Sequence, residues 1–333
     1  MSFADELIAD IRAGGDIAVA DYMARSNAHY YSTRDPFGSA GDFITAPEIS
    51  QMFGELVGAW AADLWQRAGR PAAVALAELG PGRGTLMADM LRAAAPVQDF
   101  RPDVHFIETS PTLRQAQQAR VPAAILHDDT SMLPDDRPLI VVGNEFFDAL
   151  PVVQEVRTPA GWRPRLVTAT SAGLAFQPEG DAIRELSPAR DAAMADLAGR
   201  IARQGGAALI IDYGYAVAAA GDSLQALRAG KSVHPLAHPG DADLTAHVDF
   251  GALARTAAAA GCAVLPIAAQ GRFLLTLGIE ARAAALSARL DAGGRHAIAA
   301  AMRRLTMPQA MGELFKVLAI THKDWPRPAG FPL

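Results

Sequence analysis

Glu78-Leu-Gly-Pro-Gly-Arg-Gly84 comes directly off the apolar run Ala73-Val-Ala-Leu-Ala77 and leads into Thr85-Leu-Met-Ala-Asp-Met-Leu91. The segment reads as strand, glycine loop and helix. Such a turn sets backbone N–H groups and a helix N-terminus beside a ligand, with no Cβ to keep the ligand away. The glycine spacing narrows the choice of ligand. A dinucleotide fingerprint has its third glycine three residues after the second, where this chain has Thr85, and a P-loop needs a Gly-Lys-Ser/Thr that does not follow.

Outward from this loop the chain alternates. Apolar runs at Ala73 to Leu79, Val104 to Glu108, Ala123 to Leu126, Leu139 to Val142, Ala207 to Ile211, Val264 to Ala268, Phe273 to Leu277 and Leu314 to Ile320 read as strands, most of them separated by helical patterns. Ser110-Pro111 marks a helix start, an N-cap followed by proline at the first helical position. Strands that are apolar throughout suit a parallel sheet covered on both faces, so the expected fold is α/β, a Rossmann-like doubly wound sheet. Two helices precede it: Ser2 can cap one that stops at Gly14-Gly15, and Asp16 one that runs from Ile17 to Asn27. A polar and aromatic loop over Ala28 to Ala46 follows, then a helix from Pro47 to Gly69. Val152 to Thr158, Arg165 to Thr170 and Leu174 to Gln177 alternate with period two and predict an inserted antiparallel β-meander. Helical patterns at Glu280 to Leu290 and Arg295 to Leu305 predict a late helical insertion. The expected division is a helical cap over 1–70, a nucleotide-binding half over 71–150, the meander and a helix over 151–205, and the second half of the sheet over 206–333 with the insertion at 280–311.

With 333 residues, half of them apolar, the chain can bury one large core or a core with a subdomain. Its longest nearly uncharged stretch, Thr256 to Gln270, is broken by Pro266 and too short for a bilayer, so no membrane insertion is expected. A formal net charge of −6 with no dense basic cluster argues against nucleic acid and suits a cationic substrate. The single cysteine, Cys262, forbids an internal disulfide or a multi-cysteine metal site and agrees with a reducing compartment; no metal is expected. The acidic start, Met1-Ser-Phe-Ala-Asp-Glu-Leu-Ile-Ala-Asp10, lacks the basic residues of a secretory signal or mitochondrial presequence and predicts a cytoplasmic protein.

Candidate site residues collect where strands end. Glu78, Gly80, Pro81, Gly82 and Gly84 form the loop. Glu108 ends the second strand, 28 residues after Gly80, where doubly wound folds set an acid against ribose; its two acceptor oxygens can take both hydroxyls, with Thr109 next to it. Asp128 and Asp129 close the third strand, where an adenine amino group is expected. His127 beside them is expected to pack, since no second ligand lies at zinc spacing. Asn144-Glu-Phe-Phe-Asp-Ala-Leu-Pro151 follows the fourth strand at the topological switch point. It reads either as a capped turn with Phe146 and Phe147 in the core, or as Asn144, Glu145 and Asp148 facing the reacting group with an aromatic wall beside a cation. The loop before Pro47 offers Arg34, Asp35, Asp42, Thr45 and Glu48. Asp212-Tyr213-Gly214-Tyr215 and His247-Val-Asp-Phe250 are rim candidates, with Asp249 a helix N-cap.

The E-x-G-x-G-x-G spacing is the pattern of S-adenosylmethionine (SAM) methyltransferases of the Rossmann-like class. Together with Gly41-Asp-Phe-Ile-Thr-Ala-Pro-Glu-Ile-Ser-Gln51, Asn144-Glu-Phe-Phe-Asp-Ala-Leu-Pro151, Asp212-Tyr-Gly214, Leu244-Thr-Ala-His-Val-Asp-Phe250 and Gly312-Glu-Leu-Phe-Lys-Val-Leu318, it makes the chain resemble the MidA-type SAM-dependent methyltransferases. These are relatives of the mitochondrial complex I assembly factor that methylates protein arginine. The likeness runs in unchanged order from about Tyr22 to the last strand. It implies a class I methyltransferase fold, SAM as cofactor, and an arginine in a respiratory complex I subunit as substrate. The lack of a leader points to a bacterial member. A guanidinium is a planar fork of donors that carboxylates can orient, which makes Glu145 and Asp148 the first catalytic choices, with Asn144 beside them. Asp42 or Glu48 would close over, and Phe146, Phe147, Tyr213 and His247 complete the substrate contacts. The rival readings are a nonenzymatic SAM-binding assembly module for complex I and a small-molecule methyltransferase. The oligomeric state stays open, a homodimer included.

Overall fold

The computed structural model describes residues 2–33, 44–217 and 221–332. Through its centre run β1 (Ala75–Leu79), β2 (Asp103–Ile107), β3 (Ile125–His127), β4 (Leu139–Asn144), β5 (Gly206–Tyr215), β6 (Ala263–Val264) and β7 (Phe315–Thr321). They lie in the order β3-β2-β1-β4-β5-β7-β6. The first five are parallel neighbours, and β7 runs antiparallel between β5 and β6. Every residue of β1 and β4 is buried, as continuous apolar runs require when helices cover both faces of a sheet. One face packs on Phe53, Trp60, Trp65, Met90 and Phe273, from helices Gln51–Arg67, Thr85–Ala94 and Gln270–Thr276. The other packs on Leu197, Ile201, Phe250 and Leu253, from helices Pro188–Gln204 and Phe250–Ala259.

Several elements differ from the sequence reading. Phe273 to Leu277, expected as a strand, belongs to the helix Gln270–Thr276 with Phe273 and Leu274 buried. A short apolar run has no period by which to tell the two apart. The second helix spans Val19–Thr33 and takes in the start of the expected loop, because Tyr22, Met23, Ser26, Asn27 and Tyr30 carry its buried stripe onward. The helix expected from Pro47 is two, Ala46–Ile49 and Gln51–Arg67, parted by an extended Ser50 whose hydroxyl accepts from Met52 N.

The antiparallel strands after β4 divide between two small sheets. Val153–Thr158 pairs with Gly161–Pro164 and Ile183–Leu186, whereas Leu166–Thr170 pairs with Gly173–Gln177 and with Ile17–Ala18. Hydrophobic burial explains the split. Val167, Leu174 and Phe176 of the second hairpin pack with Leu7, Ile11 and Tyr22 of the N-terminal helices, in a third core away from the central sheet. A further small sheet, Gln225–Arg228 with Lys231–Val233 and Asp243–Thr245, closes this core from the other side. The late insertion is present as helices Ile279–Ser287 and Ala292–Thr306.

Helix Gln51–Arg67 lies against the helix that leaves the glycine loop, and only glycine fits at the crossing. A Cβ on Gly58 would stand 2.4 Å from Met90 O, and one on Gly54 would stand 2.5 Å from Asp89 Cβ. Gly58→Val is therefore expected to destabilise the protein by roughly 1–3 kcal/mol, the range for overpacking. Denaturant unfolding reads this directly, and an unchanged midpoint would show that the crossing can relax.

Candidate functional site

β1 and β4 are adjacent and parallel, with Leu79 opposite Gly143, so the segments that follow them leave the sheet side by side. The first is the glycine loop. Gly80, Gly82 and Gly84 have φ of +57°, +54° and +75°, a region that side chains disfavour. A Cβ on Gly80 would also stand 3.1 Å from the Phe146 ring. Gln117 braces the loop from the next helix, donating to Gly82 O at 2.7 Å. Gly80 and Gly82 border a cavity of about 750 Å³ that runs from the end of β2 past the turn after β4 to the N-terminal helix Val19–Thr33. Gly84 serves differently: it is the N-cap of helix Thr85–Ala94 and reaches no cavity wall.

Glu108, Thr109, Asp128 and Asp129 line one end of this cavity. Glu108 Oε1 accepts from Thr109 N and Ser110 N, each at 2.8 Å, while Oε2 accepts from Gln117 Nε2 at 3.2 Å. Burial raises its pKa and these bonds oppose the rise. Asp128 forms an ion pair with Arg114 at 2.6 Å, and Asp129 caps the short helix Thr130–Met132. His127 packs against His105, ring nitrogens 2.9 Å apart, off the cavity wall.

The other end is acidic. Glu145 has φ +51°, an unusual state for a side-chain-bearing residue, and donates its N–H to Ile211 O at 2.9 Å. Its Oε1 accepts from Ala46 N and Asn144 Nδ2, both at 3.3 Å. Burial first, then the charge of Asp148, push its carboxyl up to about 8. Asp148 is 5% exposed, and its Oδ1 has no partner among the described residues. The Tyr213 hydroxyl faces the Asp148 carboxyl, and burial first, then the charge of Asp148, raise its pKa well above the usual phenol range. Behind them the buried Asp212 fixes the turn: Oδ2 accepts from Phe147 N at 3.0 Å and Asp148 N at 3.1 Å, and Oδ1 from Tyr213 N at 2.9 Å.

Some expected residues lie elsewhere. Phe146 borders the cavity, but Phe147 is fully buried beneath the turn in the core of the sheet, so it offers no face to a substrate. His247 is screened from the cavity by Tyr213, its ring edge-on at 5.6 Å. Glu48 accepts from the Thr85 hydroxyl and, with Glu78, Pro81 and Asn144, borders a small pocket that shares Gly80, Gly82 and Glu145 with the cavity. Arg34, Asp35 and Asp42 fall outside the described residues. Sequence reasoning passed over Asn27, Tyr31 and Asp243. Tyr31 donates to Asp243 Oδ1 at 2.7 Å on the cavity wall. Asn27 pins the same wall, donating to Ala149 O and Leu244 O and accepting from Leu244 N. The i, i+4 spacing of Asn27 and Tyr31 is a signal that a longer second helix would have exposed.

A family model for S-adenosyl-L-methionine-dependent methyltransferases matches residues 56–184 and 174–268. The mitochondrial protein arginine methyltransferase NDUFAF7 homolog of Drosophila melanogaster is 36% identical, over 96% of this chain and 84% of that protein. The chain is a SAM-dependent methyltransferase. The methyltransferase is likewise 34% identical to the mitochondrial protein arginine methyltransferase NDUFAF7 of Danio rerio, over 96% of this chain and 86% of that one. A superfamily member from Burkholderia thailandensis, crystallised with S-adenosyl-homocysteine, matches with a TM-score of 0.84 at 28% identity, covering 98% of this chain and 93% of that one. The fold is the class I methyltransferase fold, and SAM is the cofactor. The Drosophila and Danio relatives are mitochondrial, which overturns the cytoplasmic location expected from the acidic first residues.

The residues present fit SAM. Its amino-acid end carries an ammonium with donors only, and the small pocket holds two buried acceptors, Glu78 Oε2 and Asn144 Oδ1, without partners among the described residues. Its ribose carries two hydroxyls, and Glu108 presents a carboxylate at the end of β2. Gly82→Val is expected to abolish SAM binding in calorimetry while the protein stays folded. Glu108→Ala should weaken SAM by roughly 1–3 kcal/mol, about 5- to 150-fold. Glu145→Ala should weaken it clearly less, and the reverse ranking would remove Glu108 from the ribose.

Proposed function

We propose that this methyltransferase modifies an arginine side chain of a protein, a subunit of respiratory complex I, and that Glu145 and Asp148 hold the guanidinium. The observation that carries this reading is the unpartnered, buried Oδ1 of Asp148 on a cavity wall shared with Glu145. Two carboxyls forced together out of water, one with an oxygen left unfilled, call for donors, and a guanidinium brings five in one plane. The names of the mitochondrial relatives support arginine as the acceptor, and the family resemblance supports complex I.

In this reading Glu108 takes the ribose hydroxyls, Glu78 and Asn144 take the ammonium, and Asp128 or Asp129 meets the adenine. When bound, SAM supplies a methyl carbon activated by its sulfonium. The chain's residues align the acceptor and handle its proton, and alignment alone can account for much of such a displacement. Asp148 and Glu145 fix the guanidinium plane, Phe146 supplies an apolar edge beside the glycine loop, and the Tyr213 hydroxyl orients the Asp148 carboxyl. An arginine nitrogen attacks only when its lone pair is freed, so a carboxylate must accept a proton there.

Because Glu145 in the free protein titrates near 8, its charged, guanidinium-binding form grows as pH rises through that value. The kcat/KM for the acceptor is expected to climb with pH along this limb, and in Glu145→Gln the limb should vanish with turnover while SAM still binds. Labelled SAM and a purified complex I subunit provide the assay. Full activity of Glu145→Gln, or no label on any arginine of the subunit, would refute the corresponding part of the reading.

A further inference from the structure

Arg190 takes no part in the scheme above, yet it sits directly behind the acidic wall. It lies on helix Pro188–Gln204 and is 4% exposed. Its guanidinium donates through Nε to Phe147 O at 2.7 Å, through Nη1 to His247 O at 2.7 Å, and through Nη2 to Asp148 O at 3.0 Å and Ala246 O at 2.8 Å. These carbonyls belong to two separate stretches, the turn after β4, which borders the cavity, and the segment that follows the strand Asp243–Thr245, whose Asp243 and Thr245 border it too. Ala246 N also donates to Asp148 O, at 3.1 Å, which closes the junction. No carboxylate pairs directly with Arg190 among the described residues.

Burying a cation whose hydrogen bonds all go to backbone is costly, several kcal/mol after relaxation, and a neutral side chain could fill the same volume. The charge has a use here. Asp148 is faced by the acids Glu145 and Asp212, by the hydroxyl of Tyr213 and by Tyr31. Arg190 is the cation set against that group, and its field favours the ionised form of Asp148.

We infer that Arg190 is a positioning residue for methyl transfer: it locks the turn carrying Asp148 to the stretch carrying Thr245 and sets its charge directly behind Asp148. The inference rests on the reading that Asp148 binds the acceptor group. Arg190→Gln removes both fork and charge, whereas Arg190→Lys keeps the charge and loses the fork. Two readouts separate positioning from mere stability. With side-chain carboxyls of aspartate labelled with carbon-13, and Asp148→Asn to identify the signal, the Asp148 titration should move to higher pH in Arg190→Gln and stay near wild type in Arg190→Lys. With the complex I subunit as acceptor, kcat should fall roughly 10- to 100-fold in both variants, at unchanged SAM affinity.

An Asp148 titration unmoved in folded Arg190→Gln, or a wild-type kcat in either variant, overturns the inference. If the Gln variant does not fold, kcat of the Lys variant decides. Should the wild-type enzyme leave the subunit unmethylated, the substrate reading fails, and the titration still judges Arg190.

Discussion

The parallel pairing of β1 with β4 is the constraint on which the site depends. Chain order across the sheet turns back at that pair, so two loops distant in sequence emerge side by side with nothing between them to fill the crevice. A one-residue slip would turn every buried side chain of these strands to the wrong face. Full burial of both strands between two helical layers forbids it. Gly80 and Gly82 of the first loop and the acids of the second thereby face one cavity.

What distinguishes the two ends of that cavity is how each carboxylate is satisfied. Glu108 has three donors and stays tied to its own backbone. Glu145 and Asp148 are crowded together with Asp212 at their backs; burial raises all three, and the charge of Asp148 raises Glu145 and Asp212 further. Such an arrangement is poised for a cationic partner, in the way a nearby opposite charge restores ionisation to a buried acid. The N-terminal helix adds to it from outside the doubly wound unit, through Tyr31 on Asp243 and Asn27 on Ala149 and Leu244.

Most of the central sheet was legible in the sequence because its strands are continuous apolar runs and its first turn is spelled in glycine. That Gly80, Gly82 and Glu108 share one cavity was legible for the same reason, since they sit at fixed places relative to those strands. The acidic end was legible only in part. Which of Phe146 and Phe147 faces the cavity is decided by the left-handed backbone at Glu145, which no composition reveals. Tyr31 was lost with the helix end, because the polar stretch Ser32-Thr33 masked a stripe that tertiary contact sustains. Arg190 leaves no trace at all: its partners are backbone carbonyls, and a chain of letters records only side chains.

Glu145 also sets a ceiling on how robust this protein can become. Its backbone occupies a state that glycine adopts freely and other residues hold at about 1–3 kcal/mol. Selection for heat resistance alone would favour glycine there and discard the carboxyl. With the role proposed for Glu145, thermal endurance and chemical competence are set against each other at a single Cα, and a hardened variant that keeps the carboxyl gains its stability elsewhere in the chain.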